Sequence, residues 1–262
     1  MKDSKISWTD DTWNPVTGCD KVSPGCKFCY AETLTERFKG GKAYPNGFDI
    51  TYKPQRLEDP LRATRPRLYF VNSLSDVFHK EMDIAYIDAM FDVMKRAYWH
   101  NFQVLTKRAD LMVKYFSGRS VPENVWLGVS IESDKYMDRM HTLLKLRDKC
   151  RTLFISFEPM LSCITPVPEM QFIDWIIVGG ESGAHLWNEE CDRGLVTYAT
   201  AEKKWYPKPE AEIWVRTLRD FCKQNEVAFF FKQWGGSTPN AGGHLLDGEE
   251  IQQMPPFVTL IS

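Results

Sequence analysis

Residues 125–157, VWLGVSIESDKYMDRMHTLLKLRDKCRTLFISF, contain the pattern that decides the fold. Residues 125–131 form an apolar run of the length and composition typical of a buried strand, and residues 152–157 repeat it. Between them, residues 135–149 carry apolar side chains at helical spacing, namely Met137, Met140, Leu143 and Leu144. Because a strand, a helix and a strand in this order form a right-handed crossover, the two strands are predicted to run parallel.

The same alternation extends over most of the 262-residue chain. Further strands are predicted near residues 12–17, 68–71, 102–105, 173–178 and 227–231. Further helices are predicted at residues 84–98, 109–116 and 210–225. Seven strands joined by helices favour the α/β class, with a partial or complete parallel β/α (TIM-like) barrel. A Rossmann-like doubly wound sheet is the alternative.

We expect a single domain over residues 1–262, because no internal repeat or low-complexity segment interrupts the pattern. Two inserted loops, near residues 39–65 and 183–209, break its rhythm, and an irregular C-terminal tail follows Gly235. Loops of this length in a compact domain are usually functional or disordered. We therefore expect these two loops to cover the site.

The composition, 43% hydrophobic and 26% charged, is that of an ordinary soluble globular protein. A net charge of −2 argues against binding nucleic acid by bulk charge, although it leaves room for a local basic groove. No apolar run has the length of a membrane span, and no secretory signal is recognisable, so we expect a cytoplasmic protein. In that reducing compartment the seven cysteines indicate metal ligands, catalytic thiols or core residues rather than disulfides.

Residues 18–30, GCDKVSPGCKFCY, are the most informative segment for function. Glycine and proline punctuate this loop, so Cys19, Cys26 and Cys29 can converge on one metal centre. A structural zinc site needs four nitrogen or sulfur ligands, and no histidine or fourth cysteine lies nearby in the sequence. Three thiolates with one open position suit a [4Fe–4S] cluster whose fourth iron binds a further molecule. A zinc knuckle that borrows a distant ligand is the alternative.

The ending Cys26-Lys27-Phe28-Cys29 resembles the Cys-x-aromatic-Cys motif of the radical-SAM superfamily, in which three cysteines follow the first barrel strand. The first spacing departs from that pattern, because six residues separate Cys19 from Cys26 where the superfamily usually has three. Residues 8–32 also resemble a three-cysteine family of phages and prophages that has no assigned function. The resemblance implies a barrel of the radical-SAM type with a [4Fe–4S] cluster on the three cysteines. It also implies S-adenosylmethionine as cofactor.

The same resemblance implies a reaction. An external one-electron reductant would supply the cluster, and reductive cleavage of S-adenosylmethionine would give methionine and a 5′-deoxyadenosyl radical. The likeness to phage proteins makes a nucleotide or a nucleic-acid base the expected substrate, in DNA modification or repair. It makes the cytoplasm of a bacterial host the expected location, without a membrane partner. The oligomeric state is not predicted.

In β/α barrels the chemistry lies at the carboxyl ends of the strands. The candidate cofactor-binding residues are therefore those that follow predicted strands, together with the motif aromatic: Phe28, Asn72, Ser73, Lys107, Arg108, Ser130 and Glu132. Glu158 and Glu181 are the candidate catalytic carboxylates at the same edge. For the Lys107-Arg108 pair a solvated helix start is the alternative, and for the glycine-rich turn that contains Glu181 a structural loop is the alternative.

Two other classes of protein fit parts of the sequence. One is a zinc-stabilised nucleic-acid-binding module without catalysis. The other is a metal-independent barrel hydrolase that uses Glu158 and Glu181 as acid and base. The hydrolase hypothesis predicts activity that survives Cys29→Ser, whereas the iron–sulfur hypothesis predicts its loss.

Overall fold

The described residues of the computed structural model, 4–187 and 193–256, form eleven strands and six α-helices. The strands are β1 (Asp11–Trp13), β2 (Val16–Thr17), β3 (Thr51–Tyr52), β4 (Leu68–Val71), β5 (Asn101–Thr106), β6 (Val125–Ser130), β7 (Thr152–Phe157), β8 (Trp175–Gly179), β9 (Val196–Ala199), β10 (Lys204–Pro207) and β11 (Ala228–Gln233). The helices are α1 (Tyr30–Arg37), α2 (Asp59–Arg62), α3 (Ile84–Arg96), α4 (Ala109–Phe116), α5 (Asp138–Leu144) and α6 (Pro209–Gln224). Within the described ranges, each helix is too short or too polar to cross a bilayer.

Seven strands form one parallel sheet in the order β1-β4-β5-β6-β7-β8-β11. The order follows the chain without reversal, so the sheet curls in one direction into a half-barrel. In the described residues β1 and β11 do not pair, and the barrel is therefore partial. The predicted partial β/α barrel is confirmed. The Rossmann-like alternative is wrong, because a doubly wound sheet reverses its strand order at a switch point.

Alternate residues of each strand face two separate cores, as the two-residue period of a strand requires. The outer core packs the sheet against the helices through residues such as Val104 of β5 and Met90 of α3. The inner cluster fills the concave side of the half-barrel with Trp8, Leu68, Phe70, Trp126, Phe154, Trp175, Ile177 and Phe230. The interior of the half-barrel is therefore a packed floor rather than a pore.

Element boundaries differ from prediction where local sequence breaks the pattern. The single strand expected near residues 12–17 is two, because Pro15 turns the chain and β2 then pairs antiparallel with β3. The helix expected at 135–149 is a 3-10 turn, Asp134–Tyr136, followed by the shorter α5. The loop expected near 39–65 contains β3 and α2, and the loop near 183–209 contains the unpredicted antiparallel hairpin β9–β10. Residues 188–192 of that second loop lie outside the described ranges.

The inner cluster leaves no room at Gly128 in the middle of β6. A Cβ atom at this position would lie 2.5 Å from Cζ of the Phe154 ring, which is fully buried. We predict that Gly128→Ala lowers the free energy of unfolding by about 1–3 kcal/mol, measured by urea denaturation, because the ring must shift inside a filled core. Gly118→Ala is the matched control, since no atom lies within 4 Å of its added Cβ. Equal stability of the two variants would contradict the packed floor.

Candidate metal centre at the carboxyl edge of the sheet

Two backbone hydrogen bonds hold Cys19 at the carboxyl edge of the sheet. The preceding Gly18 donates its N–H to the carbonyl of Leu74, just beyond β4, and Cys19 donates its own N–H to Phe48 O, both at 3.0 Å. Gly18 has φ +98°, and a Cβ there would lie 2.2 Å from Asp49 O. Only glycine fits this close approach, so Gly18 sets where the cysteine loop, residues 18–30, leaves the sheet.

The other two cysteines lie at local turns of the cysteine loop. Cys26 ends a 3-10 turn, and Cys29 is the residue that precedes α1 as its N-cap. Lys21 pairs with Glu32 at 2.8 Å, and the pKa of Lys21 is raised first by this partner and then by the nearby Cys29 and Cys26. All three cysteines of the loop are partly exposed. They are therefore accessible to an incoming metal centre.

Arg108, two residues beyond β5, contacts the first cysteine directly. Its Nη1 donates to Cys19 Sγ at 3.5 Å and to Asp76 Oδ2 at 2.8 Å, and its Nη2 donates to Asp20. Burial, and then the Asp76 carboxylate, raise the pKa of the Cys19 thiol to about 11, while Arg108 opposes that rise. The sulfur of Cys19 is thus held beside a buried guanidinium.

Asp76 holds that guanidinium in place. Its carboxylate is buried and accepts hydrogen bonds from Thr106 Oγ1 at 2.7 Å, Phe78 N at 3.0 Å and Lys107 N at 3.2 Å. A buried carboxylate with this many donors is a rigid acceptor, so Arg108 has one preferred orientation.

His79 lies next to the cysteine loop, although it is distant in sequence. The ligand atoms of Cys19, Asp20 and His79 lie within 4.8 Å of one another, and His79 Nε2 is 3.0 Å from Asp20 Oδ1. Glu81 N, however, donates to His79 Nδ1 at 3.2 Å, so the proton of the neutral ring is on Nε2. In that tautomer His79 offers no lone pair to a metal ion at Nε2, although this atom lies 3.0 Å from Asp20 Oδ1.

The donor set fits a [4Fe–4S] cluster better than a closed zinc site. The described cysteines outside the loop are Cys150 and Cys222, which are buried, and Cys163, which is exposed. Cys150 contacts Val125 O and Thr152 O at the amino ends of β6 and β7, so it lies at the opposite edge of the sheet. The cysteine loop supplies three thiols, and the histidine beside Cys19 has its Nε2 protonated, so a cluster held by these thiols keeps one open position.

Asn72 and Ser73 follow β4 at this edge. Asn72 is 3% exposed with φ +56°, and neither atom of its side-chain amide has a hydrogen-bond partner among the described residues. An unpaired buried amide is costly, so a polar ligand at this point would stabilise the protein. Ser73 instead exchanges side-chain hydrogen bonds with Asn14, and its carbonyl accepts one from Tyr30 Oη.

Glu132, two residues beyond β6, fixes the second half of the cysteine loop. Its fully buried carboxylate accepts from Ser23 Oγ at 2.6 Å and from Arg139 Nη1 at 3.0 Å, and it lies 3.6 Å from Lys107 Nζ. A Cβ on Gly25 would lie 2.5 Å from Glu132 Cγ, so the cysteine loop packs tightly on this side chain.

Glu158 follows β7 and lies at the upper margin of the inner cluster. It accepts from Trp8 Nε1 at 3.0 Å and Ser156 Oγ at 3.1 Å, and it pairs with Lys232 Nζ at 2.7 Å. Ser156 is opposite the buried Ser130 in the register of β6 and β7. Polar groups from three strands and the N-terminal segment therefore meet above the aromatic floor.

Glu181 connects the segment after β8 to the cysteine loop. It accepts two hydrogen bonds from Arg193, at 2.8 and 2.9 Å, and Arg193 also donates to Pro24 O at 3.0 Å. Beside this contact the rings of Phe28 and His185 stack with centroids 3.8 Å apart and planes 9° apart. This segment consequently covers one side of the cysteine loop.

The structure places all the predicted site residues at one edge of the sheet or on the cysteine loop, and it adds others. Trp8, Asp20, Ser23, Arg139 and Arg193 were not predicted for their roles, because each acts through a partner that only the fold brings into contact. For Asp20 and Ser23 alone, the sequence indicated a place at the site, because both residues lie between Cys19 and Cys26. Trp234, just beyond β11, is 4% exposed and donates Nε1–H to Leu245 O. It is a core residue.

Several solved structures have a similar fold. Spore photoproduct lyase complexed with dinucleoside spore photoproduct has a TM-score of 0.51 and 13% identity, over 90% of this chain and 78% of the lyase. A cysteine-to-serine mutant of that lyase has a TM-score of 0.52 and 14% identity, over 90% and 78%. A tyrosine-to-phenylalanine mutant has 0.51 and 13%, over 92% and 79%. At such low identity the likeness shows the fold alone, the partial TIM barrel of radical-SAM enzymes.

The sequence also identifies a family. The chain belongs to the family described as a protein of unknown function, DUF5131, whose profile matches residues 3–192 and 202–255. No curated protein matches the sequence significantly. The resemblance to a phage three-cysteine family stays a prediction.

The buried ion pair between Arg108 and Asp76 is expected to stabilise the folded protein, and substitution of Arg108 tests this. Both side chains are 8% exposed, so Arg108→Met leaves Asp76 as a buried charge without its cation. We predict a loss of about 3–5 kcal/mol in the free energy of unfolding, measured by urea denaturation. Arg62→Met is the matched control, because it removes the ion pair with Asp59 at a side chain that is 71% exposed. This change should lower the free energy of unfolding by less than about 1 kcal/mol. Adding Asp76→Asn to Arg108→Met should recover part of the loss, and no recovery would contradict the pairing.

Proposed function

We propose that this protein is a radical-SAM enzyme that holds a [4Fe–4S] cluster on Cys19, Cys26 and Cys29 and acts on a nucleotide or nucleic-acid base. One observation carries the proposal. Three thiols lie on a single loop at the carboxyl edge of a half-barrel, and His79, the histidine beside Cys19, accepts a hydrogen bond at Nδ1 and so has its Nε2 protonated. The likeness of the fold to radical-SAM enzymes supports it.

When bound there, the cluster would supply the electron that cleaves S-adenosylmethionine to methionine and a 5′-deoxyadenosyl radical, with an external one-electron reductant as the source. The residues of the chain set the conditions for that chemistry. Cys19, Cys26 and Cys29 hold the metal as thiolates. Arg108 donates an N–H to Cys19 Sγ, which stabilises negative charge on this sulfur. Hydrogen bonds to cluster sulfurs are one factor that sets reduction potential.

The residues at the strand ends would hold S-adenosylmethionine. Asn72 is the leading candidate, because its unpaired amide offers both a donor and an acceptor. Lys107 follows β5 and Ser130 ends β6, and they would serve the carboxylate and the hydroxyl groups of the cofactor. Phe28 is assigned to the cofactor from its place in the cysteine motif. Ser73, Arg108 and Glu132 contribute by fixing the residues around them.

Glu158 and Glu181 are the proposed catalytic carboxylates. Glu158, with Lys232, lies on the concave side above the aromatic floor, where a substrate would be held away from water. Glu181 holds Arg193 against the cysteine loop and would keep the site closed during reaction. The lyase of similar fold is complexed with a dinucleoside photoproduct, which supports a nucleic-acid base as substrate and a role in DNA modification or repair. We place this activity in the cytoplasm of a bacterial host.

A zinc-stabilised nucleic-acid-binding module is the second candidate, because Cys19, Asp20 and His79 do lie close together. It requires His79 to move its proton from Nε2 to Nδ1, which removes the acceptor for Glu81 N–H. The hydrolase hypothesis is weakened by the pairing of each carboxylate with a cation, Glu158 with Lys232 and Glu181 with Arg193.

We predict that Cys29→Ser abolishes both cluster assembly and the cleavage of S-adenosylmethionine. Anaerobically reconstituted wild type should contain iron and acid-labile sulfide in equal amounts, and it should form 5′-deoxyadenosine after reduction with dithionite. Cys163→Ser is the matched control, because Cys163 is exposed and lies outside the cysteine loop. It should behave like wild type. Zinc without sulfide in the wild type would refute the proposal in favour of the zinc module, and 5′-deoxyadenosine formed by Cys29→Ser would contradict the role of this thiol.

We predict that Arg108→Lys lowers the midpoint potential of the reconstituted cluster. Lysine keeps the positive charge beside Asp76 but loses the planar fork that reaches Cys19 Sγ and Asp76 together. Electron paramagnetic resonance during titration with a titanium(III) reductant measures the potential. Arg119→Lys, at a surface ion pair with Asp88, should leave it unchanged. An unchanged potential in Arg108→Lys would show that this contact does not tune the cluster.

A further inference from the structure

We infer that His185 is a positioning residue that holds the second half of the cysteine loop, with Cys26 and Cys29, in the arrangement that a metal centre requires. It acts through Phe28, the aromatic side chain between these two cysteines. The inference rests on the proposed function for the identity of the metal centre. It gives a role to a histidine that the proposed chemistry does not use.

The second half of the cysteine loop needs support from outside itself. Cys26 donates its backbone N–H to Ser23 O at 2.9 Å within a single 3-10 turn, and the side chain of Cys29 does not cap α1. One helical turn gains most of its stability from packing rather than from its own hydrogen bond. Phe28 provides such packing, because its ring contacts His185 from the segment after β8.

The rings of His185 and Phe28 form a close and nearly parallel stack. Their centroids lie 3.8 Å apart, and their planes differ by 9°. A stack of this kind fixes both the position and the tilt of a ring, because rotation of either side chain breaks the contact. His185 covers one face of Phe28, so the contact is compatible with the assignment of Phe28 to the cofactor, which would use the other face.

The turn that carries His185 is itself fixed to the fold. His185 belongs to the 3-10 turn Ala184–Trp187, and the preceding Gly183 donates its N–H to Gly236 O at 2.9 Å. Gly183 has φ +151°, and a Cβ there would lie 2.6 Å from His185 Nδ1, so only glycine leaves room for the imidazole. On its other side His185 Nε2 lies 3.4 Å from Glu181 Oε2. The imidazole therefore has a defined place from which it can hold Phe28.

Arg193 supports the same half of the cysteine loop. Its guanidinium carbon lies 5.2 Å from the centre of the Phe28 ring, within the range of a cation–π contact. Its Nη2 also donates to Pro24 O at 3.0 Å. Together with the His185 stack, these contacts hold the loop on both sides of Cys26. Thiols that are already held in place lose less conformational entropy when they bind a metal, so the stack should raise their affinity for it.

Titration of the metal-free, reduced protein with Co²⁺ under anaerobic conditions tests the inference, because thiolate-to-cobalt charge-transfer absorption reports binding by the cysteines. His185→Ala should weaken Co²⁺ binding about 2- to 12-fold, the equivalent of about 0.5–1.5 kcal/mol for one aromatic pair. His185→Phe keeps a ring in this place and should restore most of the affinity. Because phenylalanine has no nitrogen, this rescue separates positioning from metal ligation or charge.

His141→Ala is the matched control, because His141 is exposed on α5, a helix on the outer side of the sheet. It should bind Co²⁺ like wild type. The inference is overturned if His185→Ala binds like wild type, if His185→Phe loses as much affinity as His185→Ala, or if His141→Ala loses as much.

The outcome for this inference can be separated from the outcome for the proposed function. The predicted order of Co²⁺ affinities in a protein that assembles no [4Fe–4S] cluster would refute the proposed function and leave the positioning role standing. Equal Co²⁺ affinities of wild type and His185→Ala, in a protein that assembles the cluster and forms 5′-deoxyadenosine, would refute the positioning role alone.

Discussion

Two buried carboxylates hold the cysteine loop against the sheet, and the site depends on them. Asp76, after β4, fixes Arg108 beside Cys19, and Glu132, after β6, accepts from Ser23 three residues before Cys26. Both carboxylates follow strands of one parallel sheet, so the register of that sheet determines where the thiols lie. Buried charges are tolerated only when paired and hydrogen-bonded, and here each has several donors. The two carboxylates therefore stabilise the cysteine loop while all their donors are present, and the loss of any one donor would leave a buried charge poorly compensated.

The concave side of the half-barrel has an apolar floor and a polar rim. Aromatic side chains of alternate strand positions fill the floor, and Trp8 enters it from the N-terminal segment, where its indole N–H reaches Glu158. Above that point the inward positions become polar, with Ser156 and Lys232 around the same carboxylate. A polar rim above an apolar floor would hold a polar substrate while limiting water, which suits the proposed radical chemistry.

Much of the fold could be predicted from the sequence, because the strand and helix periods of each βαβ unit are local properties. The edge at which the site lies followed from the same pattern, since parallel strands bring their carboxyl ends together. The partners could not be predicted. His79 is distant from the cysteines in sequence, yet the fold brings it beside Asp20. The hydrogen bond from Glu81 N to its Nδ1 then leaves the proton on Nε2, so this atom has no lone pair for a metal ion. The hairpin β9–β10 was missed because its strands are short and flanked by irregular sequence.

The central claim is that three thiolates leave one iron of a [4Fe–4S] cluster open to S-adenosylmethionine. Mössbauer spectroscopy of protein reconstituted anaerobically with isotopically enriched iron tests it most directly. The account predicts that addition of S-adenosylmethionine shifts the signal of a single iron site and leaves the others unchanged, because only that iron lacks a cysteine. Signals that do not respond to S-adenosylmethionine, or iron that is not in a [4Fe–4S] cluster, would contradict it.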